Sequence, residues 1–471
     1  MLSEVIVSAS STDSTTFLWD PRSATTHFSY KQNLCAPNCL ALASLPGASG
    51  GRYGLMMAAQ IDRAVLNVYA WHKDQVQMKM VLPQRLVSIA TSARGVYFAG
   101  GTEDGKIYLW EIATGRLIRV VDAHYKKVTA LRFTQDDSAL LSGSEDAVVA
   151  VYLLSSLIDD ANIDITPAPY YAWSDHTLPI TDIVCGVGKF RCARVLTSSL
   201  DHTCKLWDLG TGALLTTFLF PHAVSALAFV LAENQFFAAA GDVIYSVDLF
   251  RKRLQRGYEL ETVGGGGDVI SVEEILDTSE NINGKEVLNS RQIFRGHSAP
   301  ITTMALSIDG NLLVSGANDG VVCVWDIASR QVLRTFNQHK GPISSLHMLL
   351  KPPELISHLS GASQSTKYQS MTINPFKKIR SNLETDDSPW LFVGDNAISV
   401  EEFENSKDIN QVREAAQALS QLKNSSSTAA LRSQVSQLQS QLLRVKDLHN
   451  HMYQGLVEEF LRRRRTQQNQ S

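Results

Sequence analysis

The sequence predicts an all-β ring of seven four-stranded blades, closed by strands from its two ends and followed by a C-terminal helix. Three observations carry that reading. Short apolar runs end repeatedly in an aromatic residue followed by an acid. One frame of polar residues recurs around those runs at fixed spacing. From about residue 405 the composition changes to a heptad pattern.

The runs are "TTFLWD" at 15–20, "KIYLWE" at 106–111, "CKLWD" at 204–208 and "VCVWD" at 322–326, with weaker copies "VVAVYL" at 148–153 and "VIYSVD" at 243–248. Each follows a turn rich in Gly, Ser, Asn or Asp and precedes another short apolar run. Tandem units of four short strands describe a WD-repeat β-propeller, in which each blade buries its faces against its neighbours.

The frame sharpens the assignment. His297 lies four residues before Ile301, Ser315 four before Asp319, and Asp319 six before Trp325. The same places hold His124, Ser142, Asp146 and Tyr152 in one unit, and His176, Thr197, Asp201 and Trp207 in another. Histidine, hydroxyl, aspartate and indole at this spacing can form a hydrogen-bonded chain inside a blade. Such a buried chain stabilises only when every member is satisfied, so the set travels together. A fourth copy is split: His339 lies four before Ile343, while Asp13 lies six before Trp19 at the other end of the chain. The strand 343–349 is therefore expected to join strands from 5–30 in one composite blade, leaving no sheet edge open. The other six blades fall at about 40–82, 86–121, 128–172, 180–220, 224–294 and 301–336, those at 40 and 224 lacking the Asp-x5-Trp pair. An eighth blade remains open, because "WLFVGDNAISVEEF" at 390–403 could supply a further hairpin.

Ser315, His297 and Asp319 also have the composition of a hydrolase triad. A hydrolase needs one exposed nucleophile beside its base and an oxyanion hole. The trio recurs in other blades, with Thr197 in place of Ser315, which fits a repeated strut.

Hydrophobic residues make up 44% of the chain and charged residues 19%, which suits a folded protein. The formal net charge of −4 argues against coating nucleic acid by bulk charge. The N-terminus does not read as a signal peptide, and the most apolar window is interrupted by Glu233, Asn234 and Gln235, so no membrane span is expected. Six cysteines without C-x2-C spacing suit a reducing, intracellular compartment and no zinc site; no cofactor is expected.

Three segments exceed blade spacing, near 155–172, 251–290 and 351–389. Gly264 to Gly267 are expected to make the second flexible. The third carries Lys377, Lys378 and Arg380 beside Phe376, for contact with RNA or an acidic partner; a solvated loop is the favoured reading. The propeller is assigned to 1–404 and the tail to 405–471. In the tail, Leu431, Val435, Leu438, Leu442, Val445, His449, Met452 and Leu456 alternate steps of four and three. That heptad seam, with polar flanks, predicts a homodimeric coiled coil in which His449 sets register. Arg462 to Arg465 suit the negative end of the helix, with nuclear import or RNA contact as the alternative.

The block "HTLPITDIVCGVGKFRCARVLTSSLDHTCKLWDLGTGALL" at 176–215, the block at 122–157 and the terminal heptads together resemble one WD-repeat family. It is the family of the WD-repeat subunit of the nuclear Rix-type complex, the WD repeat-containing protein 18 family. The resemblance implies a non-enzymatic scaffold of the nucleolus and nucleoplasm that joins helical-repeat scaffold subunits and dimerises through its C-terminal helix. It also implies docking on the pre-60S particle, action with the midasin AAA ATPase in removing an internal transcribed spacer, and a link to heterochromatic silencing. No catalytic residue is carried over. An adaptor of a ubiquitin ligase or another chromatin complex is the alternative.

Overall fold

The apolar runs become strands and the Gly-, Asp- and Ser-rich turns between them set where each strand stops. A computed structural model describes residues 4–46, 52–71, 73–159, 167–252, 260–262, 267–272, 293–352, 355 and 373–379. Contacts divide the chain into Met1–Asn382 and Leu383–Ser471. The heptad seam, the 390–403 hairpin and the 404/405 boundary lie outside the described residues.

Six sheets run consecutively along the chain: blade 1 (35–81), blade 2 (86–122), blade 3 (128–173), blade 4 (180–219), blade 5 (224–295) and blade 6 (301–336). Blade 7 is the predicted composite. Its strands Glu4–Ser10, Thr15–Trp19 and Thr26–Lys31 pair with Ile343–Leu350, in a register that sets Ile6 opposite Met348 and Ser8 opposite Leu346. Seven blades thus form among the described residues, as the repeat spacing predicts.

The core lies between blades. Strand Ala139–Ser144 is buried at all six positions because both of its faces meet neighbouring sheets. Large apolar side chains such as Leu131, Val151, Phe236 and Phe237 fill those gaps with no exposure, each contributing on the order of 1.5–3 kcal/mol by leaving water. The tight turns need glycine at Gly105 and Gly320, with φ of 82° and 86°. A Cβ there would also collide with the carbonyl oxygens of His124 and His339.

Two of the three insertions behave differently from their sequence expectation. Near 155–172, the helix Leu154–Ile158 buries Leu154 and Leu157. Within 251–290, Asp268–Ser271 pairs in parallel with Leu214–Leu219 and gives blade 4 a fifth strand. Gly267, expected to be part of a flexible run, donates its N–H to Leu215 O at 2.9 Å, and Val272 is fully buried. Unpaired N–H and C=O groups on the blade's edge explain why the insertion is drawn there. Within 351–389, residues 373–379 are not a solvated loop but dock on blade 2, as described below. No described helix is long and apolar enough to cross a membrane.

Candidate functional site

Blade 4 contains the complete polar network. Its Thr197 hydroxyl sits between Trp207 Nε1, which donates to it at 3.0 Å, and His176 Nε2 at 2.9 Å; His176 Nδ1 lies 3.0 Å from Asp201 Oδ2. A proton on Nδ1 satisfies the chain: that N–H donates to Asp201, and Nε2 accepts the Thr197 O–H. Burial raises the pKa of Asp201, but hydrogen bonds from His176 and Thr203, with the backbone N–H of Thr177, outweigh it and hold the carboxyl well below its usual range.

The closing blade repeats the His–Ser–Trp part of the arrangement across the chain termini, while its aspartate, Asp13, accepts the Lys340 backbone N–H at 2.7 Å. Trp19 Nε1 donates to Ser8 Oγ at 2.8 Å, His339 Nε2 lies 2.9 Å from the same oxygen, and His339 Nδ1 approaches Asp13 Oδ2 at 3.4 Å. Ser8 escapes the sequence frame because it lies five residues before Asp13, not four.

Two copies depart from the frame. In blade 3, His124 contacts Ser142 at 2.8 Å and Asp146 at 3.1 Å. Tyr152 has no indole N–H to give; it fills the site by packing, and burial lifts its phenol to about 12. The Ser142 hydroxyl is also within 3.4 Å of Ala150 O. In blade 6, Ser315 bridges His297 Nε2 at 2.6 Å and Trp325 Nε1 at 2.7 Å, but Asp319 does not bond His297. It takes the Ser298 hydroxyl and the Val321 N–H instead, and His297 Nδ1 faces Cys323 Sγ at 3.9 Å. Ser315 has no exposed surface and its oxygen is already shared, so this trio is a strut and not a nucleophile with its base.

The difference predicts unequal mutants. Asp201→Ala orphans His176, Thr203 and the Thr177 N–H and is expected to cost about 2–3 kcal/mol, whereas Asp319→Ala is expected to cost about 1 kcal/mol. Urea titration of both variants checks the order, and a larger loss for Asp319→Ala would contradict these networks.

A second repeated device went unread in the sequence. Where the inner strands of blades 3 to 6 bulge, a hydroxyl reaches the next blade: Thr129 Oγ1 donates to Ile180 O (2.7 Å), Thr181 Oγ1 to Val224 O (2.7 Å), Ser225 Oγ to Ile301 O (2.6 Å) and Thr302 Oγ1 to Ile343 O (2.6 Å), while in blade 2 the bulge falls at Val87 and Ser88 Oγ donates to Val128 O (3.1 Å). In blades 3 to 6 the bulges lie at the hydroxyl residues themselves. The signal was a Ser or Thr directly after the strand's first apolar residue. Ser344 holds that place in blade 7, but its buried Oγ has no partner among the described residues, so the series of ties stops where the ring closes.

Blade 2 has Asp104 and Trp110 in frame but Gly100 where the hydroxyl belongs and Leu82 where the histidine belongs. Its indole therefore lacks an acceptor inside the blade. The strap 373–379 supplies one: Trp110 Nε1 donates to Lys377 O at 3.0 Å, and the Lys377 N–H donates to Gly115 O at 2.7 Å. Phe376, only 4% exposed, stacks on Trp110 with centroids 5.3 Å apart and planes 11° apart. Lys377 and Lys378 remain exposed, while Arg380 lies outside the described residues.

The inner strands of all seven blades line a central channel of about 950 Å³. Arg132 projects there and pairs with Asp182 at 3.3 Å. Burial raises the pKa of Asp182, opposed by Arg132 and the N–H groups of Leu227 and Ile183. His347 lies on the same wall, 3.0 Å from Leu40 O; desolvation, then the Arg132 charge, pushes it down to about 4.

His124, His297 and His339 are likewise lowered, chiefly by burial. Lowered folded values mean that the unfolded chain binds more protons below its histidine pKa of about 6.5, so stability is full above that pH and falls as pH drops. Each such histidine contributes at most about 1.4 kcal/mol per pH unit in its window. Tm is expected to fall from pH 6.5 to 4, with the Asp201 contribution lost below that; a Tm that is flat or rising between pH 6.5 and 5 would contradict the buried neutral histidines.

Among the described residues no group of His, Cys, Asp or Glu is arranged to hold a metal ion. The WD domain, G-beta repeat family matches residues 115–152, 168–208 and 288–326, within blades 2 to 6. The chain is 35% identical over 344 residues to WD repeat-containing protein 18 of Bos taurus, covering 72% of this chain and 71% of that protein. It is 34% identical to Pre-rRNA-processing protein IPI3 of Yarrowia lipolytica over 68% of this chain and 69% of that one. With the IPI3 protein of Mycosarcoma maydis it shares 33% identity over 69% of this chain and 63% of that protein's length. A likeness of that length exceeds what one repeat's frame residues could produce, and the chain belongs to the WD repeat-containing protein 18 family.

Proposed function

We propose that the chain is a non-enzymatic WD-repeat scaffold subunit of the machinery that matures pre-ribosomal RNA of the large subunit. The observation that supports the reading is the extended likeness to proteins named WD repeat-containing protein 18 and Pre-rRNA-processing protein IPI3. The blade networks fit it: their polar groups are spent inside the sheets, which leaves the ring's faces to bind partners. On this reading the protein works in the nucleus and nucleolus, joins helical-repeat scaffold subunits, and acts on the pre-60S particle with the midasin ATPase. Contact with rRNA falls to its exposed cations. The tail at 405–471 sets a homodimer through the heptads Leu431 to Leu456.

Affinity purification of the full chain with mass spectrometry, together with blotting of rRNA precursors after depletion, tests the reading. Recovery of pre-60S proteins and accumulation of spacer-containing precursors are expected; recovery of ubiquitin-ligase subunits in their place would overturn it. Deleting 405–471 is expected to leave a folded monomeric propeller by light scattering, and a persistent dimer would refute the coiled coil.

A further inference from the structure

Among the described residues six blades consist of four strands, and blade 4 alone takes a fifth. Its outer strand Leu214–Leu219 pairs in parallel with Asp268–Ser271, which belongs to the insertion of blade 5. The register sets Phe218 opposite Ile270 and Leu219 opposite Ser271. Side chains alternate along such a strand, so Ile270 and Val272 share one face and Val269 and Ser271 the other. The first pair turns to blade 5: Ile270 and Val272 pack with Phe218 and Phe220 of blade 4 and with Tyr245 and Leu249 of blade 5.

The added strand is held more weakly than the strands it joins. Asp268 is exposed, Val269 is 70% exposed, and within 267–272 only Val272 is fully buried. Its far edge carries no further strand among the described residues. Gly267 enters it with φ of 89° and ends a run of four glycines that begins at Gly264. Glycine loses more backbone freedom on ordering than any other residue. That cost offsets much of what burying two aliphatic side chains contributes, so the segment opens at far lower free energy than the ring does.

Opening uncovers two things at once. The outer edge of Leu214–Leu219 becomes free, including Leu215 O, which now takes the Gly267 N–H at 2.9 Å. Beside that edge lies the slot vacated by Ile270 and Val272, lined by Phe218, Phe220, Tyr245 and Leu249. A sheet edge with a slot for alternate side chains is the arrangement that binds an extended peptide by strand addition. Blade 4 does not need the fifth strand to be a blade, since the other six stand on four.

We propose that this edge is a docking site for an extended segment of a protein partner, which displaces residues 267–272 and adds in parallel to Leu214–Leu219 with two aliphatic side chains, two residues apart, in the slot between blades 4 and 5. The chain's own segment is the resident copy of that ligand and defines its pattern. Being tethered, it competes at high effective concentration, and it keeps the edge and the slot covered until a partner takes them. A helix, whose backbone groups are already bonded, fits neither the edge nor a slot spaced for alternate residues. The inference goes beyond the scaffold reading and holds whichever complex the chain joins.

The test uses the full-length chain and a fluorescein-labelled peptide with the sequence of residues 266–273, read by fluorescence anisotropy. Leu219→Cys/Ser271→Cys joins register partners on adjacent strands, which lie about 4.8 Å apart and within disulfide reach. Oxidised, this variant holds the segment shut, and dithiothreitol frees it; the peptide is expected to bind the reduced form and not the oxidised one. Ile270→Asp/Val272→Asp expels the segment and is expected to bind the peptide at least about tenfold more tightly than wild type does. A peptide with aspartate at the same two places is expected to bind neither. In cells, benzoylphenylalanine at position 219 is expected to cross-link to another protein through a segment with aliphatic residues two apart, and more strongly in the Ile270→Asp/Val272→Asp background. Equal binding by the oxidised and reduced forms would overturn the proposal, as would no binding by the aspartate variant while circular dichroism shows its propeller folded. Adducts confined to this chain or to nucleic acid would overturn it too. If the aspartate variant does not fold, the oxidised and reduced forms decide.

Discussion

Thr197→Val is expected to destabilise the propeller by about 2–5 kcal/mol although it keeps the size and β-branching of the side chain. Valine removes the oxygen shared by His176 and Trp207, and both partners stay buried without a replacement. Leaving a buried donor or acceptor unsatisfied costs about 1–3 kcal/mol each. Trp207 cannot swing out to water, because it stacks on Trp173 with centroids 4.5 Å apart and planes 7° apart. Denaturant titration reads the loss, and a midpoint unchanged from wild type would show that the network carries no stability.

Phe376→Ala is expected to cost about 3 kcal/mol, at the lower end for a buried phenylalanine, and to release the strap. The ring packs between Trp110 and Phe98, and its loss also weakens the Lys377 carbonyl's hold on the Trp110 indole. The specific readout is tryptic cleavage after Lys377 or Lys378 in the native protein, expected to accelerate at least tenfold. Cleavage at the wild-type rate with a lowered Tm would mean that Phe376 supports the core without anchoring the segment.

Both predictions mark how far the sequence could be read. Thr197, His176, Asp201 and Trp207 were legible because all four lie within one blade at spacings repeated elsewhere. Ser8 was missed because its turn holds one extra residue, and Asp319 was misplaced because the spacing is right while its carboxylate is taken by Ser298. The ring ties of Thr129, Thr181, Ser225 and Thr302 were visible as a pattern but not as a function, since their acceptors belong to the next blade. Lys377 and Lys378 read as a solvated loop because nothing local shows that an indole far away in the chain lacks an acceptor.

The sequence by itself determined the propeller with seven blades as the best count and an eighth left open, the splitting of the closing blade between the chain ends and most members of the internal networks, because strand period, turn residues and the polar frame are local and repeat. Tertiary structure alone decided what the non-repeating segments do. Asp268–Ser271 found the open edge of blade 4, and the strap found the N–H of Trp110 that its own blade leaves without an acceptor. The physical reason is common to both: an unsatisfied backbone or indole group exists only once the blades have formed, and no local pattern records which distant segment will meet it.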